Sequence, residues 1–333
     1  MKRILALLLA LWIPAAVLSG CAPQDDSAAS NKLNIVTTIF PAYDWVREIL
    51  GDETDRAEIT TLLDSGVDLH SYQPTVDDIV KISECDLFLY VGGESDGWVE
   101  DALKNAPNKD WKVIRLLDVL GDSAKAEETV EGMQEEEHDH EEEGHGHEEE
   151  AEYDEHIWLS LKNAQVLVAA ISEALQESDP ARKDTYAANA AAYVEKLSAL
   201  DGEYRAAVDS GTYKTLLFGD RFPFRYLADD YGLDYYAAFP GCSAETEASF
   251  ETVSFLAGKM DALGLPCVLT IEGTQHKIAE TIVQNTAKKN QQILTMDSMQ
   301  AVTANDAASG VSYLSIMEKN LSVLKKALGQ EAE

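Results

Sequence analysis

The chain has seven histidines, and four of them, His138, His140, His145 and His147, fall in one stretch where residues 135–150 are only Glu, His, Asp and Gly. Neutral imidazoles are borderline ligands that suit Zn, Cu, Ni and Co, and interleaved carboxylates concentrate cations around them. From 127 to 152 there is no basic residue and almost nothing apolar. Such a segment cannot assemble a packed core, so a disordered loop is expected over 127–152, binding metal weakly, at several places and with fast exchange. The plainer alternative is a solvated acidic linker whose histidines serve solubility alone.

Two further histidines stand in a different setting. His70 lies in Asp68-Leu69-His70-Ser71-Tyr72-Gln73-Pro74-Thr75, and His156 in Asp154-Glu155-His156-Ile157-Trp158-Leu159. Each sits beside an acid, in a loop that meets a helix, and a carboxylate neighbour can orient an imidazole and raise its basicity. One such histidine is more often structural than a ligand. Two in matching settings, next to a His-rich loop, point to a metal site. Of the four cysteines, Cys85 and Cys267 lie in apolar strand contexts and read as small core residues. Cys242 follows Pro240-Gly241 at a turn instead. Three cysteines after Cys21 are too few and too scattered for a disulfide framework.

The elements that must hold these residues come from the apolar pattern. Strands are predicted over 33–39, 58–63, 87–91 and 112–117, and again over 214–219, 234–239, 267–272 and 291–295. Helices are predicted between them over 41–50, 75–84, 98–105, 222–231, 247–263, 277–289 and 313–328. Strand–helix alternation implies parallel sheets covered by helices on both faces, and two such runs predict two α/β lobes, over 33–178 and 211–330. Between them, 179–210 holds no Pro beyond Pro180 and a single Gly, Gly202, which predicts one long helix capped by Asp179. At 1.5 Å per residue it spans roughly 40 Å, as a rigid connector between lobes or as one arm of a helical hairpin.

The formal charge of −34 excludes nucleic acid as a natural partner and suits cations. At the N-terminus, Met1-Lys2-Arg3, an apolar run over 4–18 and Ser19-Gly20-Cys21 make a secretory signal, too short for a comfortable membrane span. Leu18-Ser19-Gly20-Cys21 resembles the lipobox of bacterial lipoproteins, in which the Cys carries the lipid. The expectation is therefore a signal over 1–21, a tether over 22–32, and a chain anchored to the cell membrane by Cys21, on the cell surface or in a periplasm. No oligomer signal is evident, and a monomer is expected.

Asp68-x-His70-x-Tyr72-x-Pro74-Thr75, an acidic His-rich insert, and Glu155-His156-x-Trp158-Leu159 together resemble the zinc and manganese binding proteins of ABC importers, the ZnuA and TroA type. The likeness extends to 226–233, Ile271-Glu272, 294–297 and 312–321, essentially the whole chain after the tether. It implies two lobes joined by a long helix, with metal held in the cleft between them. It matches His70 and His156 to the two histidine ligands of the first lobe and Asp297 to the acid of the second lobe, with Glu272 behind the ligands. The remaining family ligand, His or Glu, falls by spacing on Arg221, which has no acceptor and cannot bind a cation. His276, in a loop that opens a helix, and Cys242 are the candidates to replace it, because ligands in open α/β sheets gather at the carboxyl ends of strands. Asp220 stands further out as a candidate, and Arg221 is expected to pair with Asp297 or Glu245.

A mixed His, Cys and carboxylate set favours Zn2+ over Mn2+, which stays possible. The resemblance implies delivery to an ABC transporter permease and its ATPase. No enzyme is expected: the chain has no His-Glu-x-x-His helix and no Gly-x-Ser-x-Gly elbow, and four protein ligands would leave no place for a substrate. A surface adhesin on the same fold is the alternative.

Overall fold

The structure is a computed structural model that describes residues 32–105, 111–134, 152–243, 247–273 and 276–330. The predicted signal, lipidation at Cys21 and nearly all of the tether lie outside these residues, as do the four histidines of the insert and Glu245. Among the described residues, no helix is long and apolar enough to cross a membrane.

In the first half, β1 (Leu33–Thr37), α1 (Phe40–Leu50), β2 (Ala57–Thr61), α2 (Val76–Glu84), β3 (Leu87–Tyr90), α3 (Val99–Asn105), β4 (Lys112–Arg115), α4 (Leu116–Leu120) and α5 (Leu161–Ser178) follow in order. A turn at Pro180–Arg182 leads into α6 (Lys183–Ser210). The second half runs β5 (Thr215–Arg221), α7 (Arg225–Tyr231), β6 (Asp234–Phe239), α8 (Phe250–Leu263), β7 (Cys267–Thr270), α9 (Lys277–Asn285), β8 (Gln292–Thr295), α10 (Ala304–Ala308) and α11 (Tyr313–Ala327). The predicted strands are all present, within a few residues of their predicted ends. Local chemistry sets several helix starts: Thr75 and Asp78 form a capping box on α2, Ser312 and Ser315 another on α11, and Ser249 caps α8. The helix predicted from 222 begins only at Arg225. Pro223 disfavours helical geometry at Phe222, and Phe222 and Phe224 turn into the core instead.

Each half folds its strands into a parallel four-stranded sheet, ordered β2-β1-β3-β4 in one and β6-β5-β7-β8 in the other. In both, the chain leaves the second strand of its run and crosses to the far side of the first. That reversal opens a crevice at the carboxyl ends of the central strands, where ligands of such sheets bind.

The long helix has 28 residues, about 42 Å at 1.5 Å each. Its buried side chains, Tyr186, Ala190, Tyr193, Leu197, Leu200, Tyr204, Ala207 and Val208, recur at spacings of three and four and make one apolar stripe. The stripe packs along α5 and also against α1 and α11, so α6 serves as a hairpin arm and as the connector between the sheets. Polar contacts fix the halves together beside it: Asp44 on α1 accepts the Tyr313 N–H at 2.8 Å, and the Tyr313 hydroxyl donates to the Trp158 carbonyl at 2.7 Å.

The stem of the acidic insert differs from the expectation of disorder. Residues 127–134 are fixed against the second half. Gln134 donates its N–H to the Ala238 carbonyl at 2.9 Å and accepts the Ser249 N–H at 2.7 Å. Lys259 pairs with Glu131 at 2.9 Å, and Arg225 and the Tyr235 hydroxyl both meet Glu128. Gly132 packs flush on the Phe255 ring. Acidic composition alone hid these contacts, because their basic and aromatic partners lie about a hundred residues away along the chain.

Candidate metal centre

His70 follows β2 in a short helical turn, Leu69–Ser71, which Asp68 caps by accepting the His70 N–H at 2.9 Å. His156 precedes a second short turn, Ile157–Leu159, and is fully buried. Cys242 follows β6 in the second half. Loops from both halves thus carry ligand-type side chains to one place. The ligand atoms of His70, His156 and Cys242 all lie within 4.8 Å of one another.

The imidazole pair has the spacing of a metal site. The two Nε2 atoms are 3.2 Å apart. Two nitrogens bound tetrahedrally at about 2.05 Å from one zinc ion stand about 3.3 Å apart, and a thiolate at about 2.3 Å stands about 3.6 Å from each nitrogen. The nitrogens therefore already hold that separation, and the sulfur, within 4.8 Å of each, stands at most about 1.2 Å beyond its own.

What turns both Nε2 atoms inward is a set of contacts on the far side of each ring. His156 Nδ1 lies 3.0 Å from Asp154 Oδ1, which also accepts the His156 N–H at 2.8 Å. His70 Nδ1 lies 2.9 Å from Ser95 Oγ and 3.4 Å from Glu155 Oε2. Glu155 is placed in turn by its other oxygen, which accepts the Ser95 N–H at 2.8 Å. Consecutive acids, Asp154 and Glu155, so stand behind different rings, an arrangement that fixes tautomer and orientation in metal sites. Asp68, the acid beside His70 in sequence, instead caps the backbone of the turn. Ser95 carried no sequence signal, because its partner lies 60 residues away.

Two glycines make the room. Gly93 has φ +99°, and a Cβ there would come within 2.4 Å of Glu155. A Cβ on Gly241 would meet the Phe222 carbonyl oxygen at 2.8 Å and His156 Nδ1 at 3.2 Å.

Burial sets the protonation of the cluster. His70 is pushed down to about 3, first by burial and then by the neighbouring His156 and Arg221 charges, so it is neutral. Burial pushes the Cys242 thiol well above the ordinary thiol range, and nearby Asp154 and Glu127 raise it further. Glu155 is pushed up to about 7, again chiefly by burial. Glu127, in the stem of the insert, accepts the Cys242 N–H at 2.8 Å and is also hydrogen-bonded by its thiol.

The other sequence candidates fall outside that close group. His276 and Asp297 do not join the group that converges within 4.8 Å. Asp297 accepts the Met299 N–H at 2.8 Å, and its carboxyl is raised to about 6 by burial and by Glu272. Glu272 is occupied by the 298–301 loop, accepting the Ser298 and Gln300 N–H groups at 2.6 and 3.0 Å. His276 stands at the N-terminal end of α9 without a side-chain capping bond, near enough to Asp220 to lower that carboxyl against the larger, raising effect of burial. Asp220 accepts the Arg221 N–H at 3.0 Å. The guanidinium of Arg221 pairs with Asp68, not with Asp297, and donates to the Ser243 carbonyl at 3.3 Å. Trp158 is a core residue whose indole N–H donates to the Ser298 carbonyl at 2.9 Å.

The family of zinc-uptake complex component A, periplasmic, matches residues 35–327. The chain is 34% identical to the zinc-binding lipoprotein AdcA of Streptococcus pneumoniae over 331 residues, covering 99% of this chain and 62% of that protein. The chain thus spans less than two thirds of the AdcA length. It is 31% identical to the high-affinity zinc uptake system protein ZnuA of Bacillus subtilis over 298 residues, covering 90% of this chain and 88% of that one. The Zn(II)-bound ZnuA-like domain of Streptococcus pneumoniae AdcA superposes with a TM-score of 0.68 at 29% identity, covering 90% of this chain and all of that domain. Two parallel sheets bridged by a long helix, a family match across nearly all described residues, and a full-length likeness to a zinc-uptake protein place the chain in the ZnuA family of zinc-uptake components.

Proposed function

We propose that this protein captures Zn2+ between its two halves and delivers it to the permease and ATPase of an ABC importer. His70, His156 and Cys242 are the protein ligands on this reading, and the lobes over 33–178 and 211–330 flank the cleft. The observation that carries it is the pair of Nε2 atoms 3.2 Å apart with a cysteine sulfur beside them. Imidazole nitrogen and thiolate sulfur suit zinc, whereas manganese favours oxygen ligands. Three protein ligands leave one tetrahedral position open, where water or a ligand offered by the transporter can enter during hand-over. The zinc-uptake and zinc-binding names of the relatives agree with this cargo. His138, His140, His145 and His147 collect metal outside the cleft, and Cys21 carries the lipid that holds the protein to the membrane.

Metal-competition titration of the chain lacking residues 1–21 tests the reading. One tight zinc site is expected, lost in His70→Ala and strongly weakened in Cys242→Ala, with manganese competing poorly. A chain whose zinc sites all vanish on removal of 135–151 would have no metal in the cleft. For transport, growth under zinc limitation should be restored by the unaltered gene and not by the His70→Ala form.

A further inference from the structure

A fixed positive charge is a poor neighbour for a cation, yet Arg221 occupies the position where the family resemblance places a metal ligand. The structure shows what the guanidinium does there. One of its NH2 groups pairs with Asp68 Oδ2, and the other donates to the Ser243 carbonyl at 3.3 Å. Asp68 caps the turn that carries His70, and Ser243 directly follows Cys242. The first belongs to the loop after β2, the second to the loop after β6, so one planar side chain spans both halves. The pair is well shielded, with 17% of the Arg221 side chain and 21% of that of Asp68 exposed, and neutralising Arg221 removes much of its repulsion for a bound cation.

We propose that Arg221 is a positioning residue that clasps the His70 turn of one half to the Cys242 loop of the other, so that the three ligands stand together before metal arrives. The inference rests on the metal-capture reading above. In place of a fourth ligand drawn in by the ion itself, the cleft is held by an ion pair and a carbonyl hydrogen bond. Arginine alone has the geometry for this, since its fork reaches a carboxylate and a carbonyl in one plane. Metal then enters a site already assembled and needs little closure of the two halves.

The test uses the chain lacking residues 1–21 and the variants Arg221→Gln, Asp68→Asn, their double, and Arg221→Lys. Amide hydrogen exchange of the metal-free proteins is read over 68–72 and 240–243. Arg221→Gln is expected to speed exchange in both segments, although they lie in different halves. The double variant should show no more than the larger single effect, a coupling on the order of fivefold or more in rate for residues in contact. Lysine, which retains the charge but not the fork, should recover protection at 68–72 and not at 240–243. Zinc affinity of Arg221→Gln should fall by about 10- to 100-fold, the range seen when groups behind metal ligands are removed. Unchanged exchange at either segment, or single effects that simply multiply in the double variant, would overturn the clasp. An unaltered protein with no tight zinc site would refute the capture reading instead, while the metal-free exchange would still decide whether the clasp exists.

Discussion

Replacing Cys242 by alanine should change both how tightly zinc binds and how binding depends on pH, and the two effects have separate origins. Zinc in small four-ligand protein sites is held with roughly 10–16 kcal/mol, or about 2.5–4 kcal/mol per ligand, so losing one ligand weakens binding roughly 70- to 900-fold. The pH effect follows from burial, which holds the Cys242 thiol protonated well above the ordinary thiol range. Zinc takes the thiolate, so each ion bound must expel that proton, and affinity should rise about tenfold per pH unit. His70, pushed down to about 3, is already neutral and adds no slope near neutrality. Glu155, pushed up to about 7, sits behind His70 and adds proton release only around and below that value. Between pH 8 and 9 the thiol term therefore stands nearly alone. Competition titration there, repeated in two buffers of different ionisation enthalpy to count protons, should give about one proton released by the unaltered protein and none by Cys242→Ala. Equal proton release by both proteins would show that sulfur does not ligate the metal, whatever happens to the affinity.

Four other outcomes are expected. Asp44 is buried and its carboxyl is raised from 3.8 to about 6, mainly by burial, so its contribution to stability is full below about pH 4 and is lost as pH rises through 6. Asp44→Asn keeps the acceptor for the Tyr313 N–H and should stabilise the protein by up to about 3 kcal/mol at pH 7.5, with the difference vanishing towards pH 4 in chemical denaturation. Gly241→Ala puts a methyl group 2.8 Å from the Phe222 carbonyl oxygen and 3.2 Å from His156 Nδ1, and should weaken zinc binding by displacing the Cys242 loop, with affinity titration as the check. Deleting 135–151 should leave one tight site and slow capture at low metal in stopped-flow mixing. Deleting 127–152 should also weaken the tight site, since Glu127 holds the Cys242 N–H at 2.8 Å.

Much of this arrangement could be read from the sequence because it depends on local signals. Alternating apolar runs and helix caps predicted the eight strands and the long helix, and His70 and His156 stood out as histidines in loops that lead into helices. Cys242 separated itself from Cys85 and Cys267 by following a turn instead of lying in an apolar run. The remainder depends on pairs far apart in the chain. Asp68 beside His70 suggested an acid orienting its ring, but Ser95 and Glu155 do that, and Asp68 bonds the backbone and Arg221, 153 residues away. The stem at 127–134 carries three acids in eight residues and no base, yet Lys259, Arg225 and Phe255 give it partners that composition cannot reveal.

A site for cargo has to release what it binds, and the protonation of this one bears on how it can. His70, held neutral chiefly by burial, would take a zinc ion at no proton cost. A thiolate already ionised would add its full affinity and make the ion slow to leave. Here burial and the acids around Cys242 keep the proton on sulfur, so part of the sulfur–metal interaction is spent in expelling it. The same proton offers a way out: once the ion leaves through the open fourth position, reprotonation of Cys242, with Glu127 already hydrogen-bonded to it, opposes recapture. On the proposed ligand set, donors drawn from both halves, an open fourth position and a thiol reluctant to ionise all moderate binding in the same direction, towards an ion carried and handed on.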